Sequence, residues 1–315
     1  MITVEDVEAA ARRIAGSIRR TPMLEVTQLL DAPTRNPLWL KLESLQVTGS
    51  FKARGATNRL LTADPKTLAH GIVTASGGNH GLAVARAGRL AGVPATVFLP
   101  SNVSRIKKDK LAGWGADVRV AGAVWDEADA AARAHAERTG AVYFHPFADP
   151  AVVAGQGTAA LEILEDLPSA DVYIVAIGGG GLIAGMGTVI KARQPHARIV
   201  GVEPVGSPTL HDSLAAGHAV RLPKVTTRVA TMACGRTDDR IYDIVASAVE
   251  SVVLVEDDEM LAASRWLWFE LGLGADLSAA AAVAALRSGR VKLDEGETVC
   301  TLICGAGDEG ILPPA

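Results

Sequence analysis

DVYIVAIGGGGLIAGMGTVI, residues 171–190, is the stretch on which the fold turns. From Val172 to Ile190 it carries no charge, so a membrane-spanning helix has to be weighed first. Six of those residues are glycine, four of them consecutive (Gly178 to Gly181), and such a run would pack poorly as a spanning helix. The stretch reads instead as a buried strand over 171–177, a loop, and a helix over about 182–193. Backbone N–H groups of a glycine loop at a helix N-terminus make a cradle for a phosphate.

Outward from there, strands are expected at 37–43, 71–75, 95–99, 116–120, 198–203, 251–255 and 297–303. Helices are expected at about 80–91, 104–113, 124–138 and 152–165. Continuous apolar strands alternating with helices predict an α/β fold, a mostly parallel sheet covered on both faces. Thr3 and Asp6 form a capping box, after which Val4, Val7, Ala11, Ile14 and Ile18 share a helical face. The chain turns irregular after Thr21-Pro22. Repeats, low-complexity linkers and composition shifts are absent, so two domains, if present, are intertwined.

Composition sets the outer limits. At 315 residues, 49% hydrophobic and 21% charged, the chain has the profile of a soluble globular protein. Aromatic residues are only 4%, and abundant alanine and glycine favour tightly packed helices. A net charge of −4 argues against nucleic acid as a partner, and Lys107, Lys108 and Lys110 read as a solvated helix face. Three cysteines (Cys234, Cys300 and Cys304) are too few for a disulfide framework, and point to a reducing cytoplasm. The N-terminus lacks the basic start and apolar block of a signal peptide, and no regulatory domain is expected after the last strand.

Four loops can carry chemistry. In TGSFKARG (48–55), Thr48 or Ser50 serves as N-cap and Lys52 falls in the first helical turn. The positive helix end disfavours an ammonium there, lowering the lysine's pKa toward the range that Schiff-base chemistry needs. TASGGNHG (74–81) follows a strand and offers Ser76, glycine amides and Asn79 as an anion-binding nest, with His80 read as a hydrogen-bonded scaffold residue. The glycine run 178–181 is the phosphate cradle, but GGGLIA (179–184) with Glu203 nineteen residues past Ala184 also satisfies a dinucleotide fingerprint. Cys304-Gly305-Ala306-Gly307 closes the final strand. Cys300 and Cys304 share a face, and nearby histidines lack the spacing of a zinc site.

The order TGSFKARG, SGGNHG, GGGGL and a terminal Cys-Gly resembles the fold-type II pyridoxal-phosphate enzymes, specifically the serine/threonine dehydratases, from about Thr21 to Gly310. The resemblance implies open, mostly parallel twisted sheets with helices on both faces, in two intertwined domains of the tryptophan synthase β type. A large cofactor-binding domain, 1–64 plus 146–315, would carry a small inserted one, 65–145. Lys52 would be the Schiff-base lysine and the base at Cα, with Phe51 beside the pyridoxal phosphate ring and Asn79 on its phenolic oxygen. Gly178, Gly179, Gly180, Gly181 and Leu182 would hold the phosphate, and Cys304 would stand neutral beside the pyridine nitrogen. Ser76, Gly77, Gly78, Asn79 and His80 would bind the substrate carboxylate.

The implied reaction is β-elimination from L-threonine or L-serine to a 2-keto acid and ammonia, by a homodimer. The β-replacement branch prefers a different lysine motif. Racemases of the group carry a serine where this chain has Gly77, so racemisation is disfavoured. The family's divalent-metal site pairs a glutamate with an acid six residues on. Here Glu203 is followed by Thr209, and no metal is expected. The usual A-D-G reads Ala233-Cys234-Gly235, which leaves 3-hydroxyaspartate or a bulkier substrate open.

Overall fold

The computed structural model of the chain describes residues 2–311 apart from 102 and 104. Among them run β1 (Met23–Val26), β2 (Leu38–Lys41), β3 (Ile72–Ala75), β4 (Ala95–Leu99), β5 (Asp117–Val120), β6 (Val142–Tyr143), β7 (Val172–Ala176), β8 (Arg198–Pro204), β9 (Ser251–Val255) and β10 (Val299–Leu302). They form a six-stranded sheet, β1-β2-β10-β7-β8-β9, and a four-stranded sheet, β5-β4-β3-β6. Every pairing is parallel except β1 with β2. The α/β class with mostly parallel sheets is as expected. The chain leaves the larger sheet after β2, builds the smaller one, and returns at β7.

The charge-free stretch is a strand, a loop and a helix, Gly181–Arg193. Its glycines let that helix lie against helix Pro150–Asp166. A Cβ on Gly185 would stand 2.4 Å from the Val153 carbonyl, and one on Gly157 would stand 2.7 Å from the Gly185 carbonyl. No helix among the described residues is long and apolar enough to cross a membrane.

Several elements escaped the pattern reading. β1 replaces the irregular chain expected after Pro22, and β6 has two residues, both too short for alternation to register. Helices Thr209–Ala216, Asp239–Ala248, Asp257–Leu271 and Leu277–Arg287 also went unread. The last is buried from Ser278 to Leu286, so it lacks the polar stripe that marks a surface helix. The helix expected over 104–113 runs Arg105–Gly113. Residue 104 lies outside the described residues, as do 1 and 312–315 at the ends of the expected large domain.

A charged cluster lies inside the larger unit. Arg54, fully buried, meets Glu43 at 2.7 and 2.8 Å and Glu162 at 2.7 and 2.8 Å. Lys41, also fully buried, reaches Glu162 at 2.7 Å and the Thr21 carbonyl at 2.7 Å. Burial pulls the Arg54 guanidinium down, but the two carboxylates outweigh it and hold it charged. The cluster fastens the first turn of helix Lys52–Leu61 to the end of β2 and to helix Pro150–Asp166.

Candidate active site

In parallel sheets the loops leaving the carboxyl ends of neighbouring strands gather at one edge. Here those after β2, β10 and β7 meet the loop after β3 from the smaller sheet. The loop before Lys52 hangs from the end of β10. Phe51 N–H donates to the Cys304 carbonyl at 3.2 Å, Ala306 N–H to the Gly49 carbonyl at 2.8 Å, and Ser50 bridges Gly305. Thr48 and Gly49 both take left-handed backbone, at φ +65° and +80°, which makes the turn.

Lys52 opens its helix as expected, but neither Thr48 nor Ser50 caps it. Phe51 already has helical backbone, and both hydroxyls are buried without a partner among the described residues. The Lys52 amine donates to the Pro146 carbonyl at 2.7 Å and sits 5.1 Å from the centre of the Phe51 ring. Its pKa is pulled down to about 8. The cause is desolvation by burial rather than the helix end invoked from sequence; Cys304 and Cys234 oppose it.

Residues 144–148 tie the loops together. His80 Nε2 lies 3.1 Å from the Phe144 carbonyl, which only accepts, so Nε2 carries the proton. His80 Nδ1 is then a bare acceptor, buried and without a partner among the described residues. The His80 ring is thus held by its hydrogen bond to the Phe144 carbonyl, as its reading as a scaffold residue expects. Its backbone N–H, in the first turn of helix Asn79–Ala91, can donate to a carboxylate. His145 Nδ1 accepts from the Phe147 and Ala148 amides at 3.2 and 2.9 Å, which fixes the same tautomer. Burial first, with the nearby cations, lowers His80 to about 3 and His145 to about 4. Both are expected to stay neutral Nε2–H tautomers from about pH 5 to 8, and nitrogen NMR of labelled histidine checks this. A titration midpoint near 6.5 for either ring would contradict it.

Phe147 lies on the glycine loop. A Cβ on Gly179 would fall 2.1 Å from its ring and one on Gly181 would fall 2.5 Å from its carbonyl, while Gly180 takes φ +91°. The amides of Gly178, Gly179 and Gly180 find no acceptor among the described residues. Any side chain here would fill the cradle or break it. Thr237 donates to the Gly179 carbonyl at 3.0 Å from behind.

Asn79 and Cys304 face a residue the sequence reading missed. Asn79 Nδ2 donates to Asp276 Oδ2 at 2.9 Å, leaving its second N–H without an acceptor among the described residues. Asp276 Oδ1 accepts from Ser278 Oγ at 2.6 Å and the Ala279 amide at 2.8 Å, capping helix Leu277–Arg287. A Cβ on Gly305 would strike both Asp276 and Asn79, at 2.5 and 2.7 Å. Cys304 Sγ lies 4.0 Å from Ser278 Oγ, and burial, then Asp276, pushes its thiol well above the ordinary range. It is a neutral group. The signal for Asp276 was an N-cap acid before an alanine run; Pro146 acts through its carbonyl and had none.

The dinucleotide reading fails on Glu203. Its carboxylate is fully buried and accepts from the Leu210 and His211 amides at 2.8 and 2.9 Å, so it cannot reach a ribose. The model for the family described as "Pyridoxal-phosphate dependent enzyme" matches residues 14–305. An L-threonine ammonia-lyase of Geobacter sulfurreducens is 40% identical over 95% of this chain and 74% of its own. One from Thermotoga maritima is 38% identical over 97% and 75%. The structure of maize serine racemase superposes with a TM-score of 0.92 at 32% identity, over 97% of this chain and 93% of that one. A glycine cradle, an enclosed lysine amine and a neutral thiol at one sheet edge thus coincide with a match across nearly the whole length: the chain belongs to the pyridoxal-phosphate dependent enzymes.

Proposed function

We propose that the protein removes water from a small β-hydroxy amino acid, L-threonine or L-serine, and releases a 2-keto acid and ammonia. Its residues fit the cofactor. Lys52 would carry it, Phe51 would flank the ring, and Asn79 would give its second N–H to the phenolic oxygen. The amides of Gly178 to Leu182 would hold the phosphate, and Cys304 would face the ring nitrogen. Pyridoxal phosphate, when bound, supplies an electron sink for the bond being broken. The observation that carries the reading is the Lys52 amine, held near a pKa of 8 on the segment whose next residue, Phe147, lines the cradle.

The chain's own residues divide the work. Amides of the Ser76–His80 loop and the Ser76 hydroxyl hold the substrate carboxylate, which sets Cα toward Lys52. The Lys52 amine, neutral in a useful fraction at physiological pH, takes the Cα proton. The neutral Cys304 thiol offers no anion to stabilise a proton on the ring nitrogen. That favours prompt departure of the β-hydroxyl over slow accumulation of charge. Gly77 supports elimination over racemisation, because it has no side chain to act as an acid. A Cβ there would stand 2.6 Å from Val103 Cγ2.

The division into residues 1–64 plus 146–315 and 65–145 is part of this reading, supported by the separate four-stranded sheet. So are a cytoplasmic location, in keeping with three free cysteines, and assembly as a homodimer. The test is incubation with L-threonine, L-serine and 3-hydroxyaspartate, with keto acid and D-amino acid both measured. Keto acid from L-threonine or L-serine, without D-amino acid, is expected. D-amino acid without keto acid would make the protein a racemase, and keto acid from 3-hydroxyaspartate alone would move the substrate.

A further inference from the structure

The wall behind the glycine cradle is residues 231–237, which form neither helix nor strand except for a single bridge at Arg236. A Cβ on Gly178 would lie 2.7 Å from the Thr231 carbonyl, and Thr237 Oγ1 holds the Gly179 carbonyl at 3.0 Å. Irregular backbone needs outside partners to stay in one place. Here they include the Leu222 N–H on the Gly235 carbonyl, the Arg221–Arg236 bridge and, at Cys234, hydroxyls from the turn after β8. Thr209 Oγ1 donates to the Cys234 carbonyl at 2.5 Å and Ser207 Oγ donates to it at 3.0 Å, while the Cys234 amide donates back to Ser207 Oγ at 3.1 Å. Ser207, Thr209 and Thr237 are all buried.

The family's divalent-cation site would fall at this turn, on the glutamate that matches Glu203 and an acid six residues further on. The donor set does not suit one. Each Glu203 oxygen already accepts an amide N–H, from Leu210 and His211, and the second position holds no acid: Thr209 is neutral, with its hydroxyl proton directed to a carbonyl. Hard cations ask for several oxygen ligands with carboxylate charge among them.

We propose that Thr209 and Ser207 are positioning residues for the cofactor phosphate: their hydroxyls latch the Cys234 carbonyl and, through Thr237, fix the Gly179 carbonyl of the cradle, so the cradle is held without a divalent cation. The inference rests on reading Gly178–Leu182 as the phosphate cradle. A latch on the cradle has a signature that general stability lacks, because it acts only on ligands that carry a phosphate.

The experiment measures the affinity of the apoprotein for pyridoxal 5′-phosphate and for pyridoxal, by equilibrium dialysis with and without EDTA. Thr209→Val is expected to weaken pyridoxal 5′-phosphate about tenfold, the scale of one lost buried hydrogen bond, and to leave pyridoxal unchanged. Thr209→Ser keeps the hydroxyl and restores the affinity. Thr237→Val, which cuts the last link directly, gives the same pattern and stands in if Thr209→Val does not fold. EDTA leaves both wild-type affinities unchanged. Equal weakening of the two ligands, or none, overturns the latch, and a wild-type loss on chelation overturns its independence of a cation. If wild-type protein holds pyridoxal 5′-phosphate no better than pyridoxal, the cradle reading itself fails.

Discussion

Replacement of Lys52 by alanine is expected to lower the rate of keto-acid release by about 10⁴-fold, the upper range for removing a positioned base, while the fold survives. Alanine is the best helix former, and Lys52 stands at the first position of its helix. The same amine gives a pH dependence with a definite sign. Held at about 8 instead of 10.5, it is mostly protonated below its pKa and neutral above it. Cofactor uptake by the apoprotein needs the neutral form, so its rate should rise about tenfold between pH 7 and 9 and then level off. Stopped-flow absorbance measures this. A rise continuing toward 10.5 would show an ordinary lysine and remove the argument from burial.

The second large effect is on stability. Arg54→Met should destabilise the protein by about 3–5 kcal/mol, read from urea unfolding, because it strands Glu43 as a buried charge without its main partner. Thr21 still donates to Glu43, and Glu162 keeps Lys41, which is why the cost should not exceed the loss of one side of the cluster. Arg54→Lys should recover only part, since an ammonium cannot satisfy two carboxylates with paired hydrogen bonds. A loss under about 1 kcal/mol for Arg54→Met would show that Glu43 takes up a proton or finds another partner.

How much of this was legible depends on what each residue contributes. The glycine run announced its loop because four glycines in sequence suit little else, and the β7–loop–helix reading followed from it. The lysine, serine–asparagine and cysteine loops were each ambiguous alone and became specific through their order. What stayed hidden acts through backbone or through distance. The Pro146 carbonyl under Lys52 has no side-chain signature. Asp276 sits before a buried helix with no amphipathic stripe, so nothing in the sequence pattern marks its cap. The lysine's lowered pKa was anticipated, but from the helix end, because burial of an amine emerges only when segments 144–148 and 304–306 close over it. Thr48 and Ser50 were read as caps on residue type alone, and the left-handed turn at Thr48-Gly49 overrode that preference.

The proposed chemistry requires that one particular lysine carry the cofactor. Protein loaded with pyridoxal phosphate, reduced with borohydride and digested, should yield a single modified peptide, with the added mass on Lys52. Modification of any other lysine, or none, would contradict the site described here.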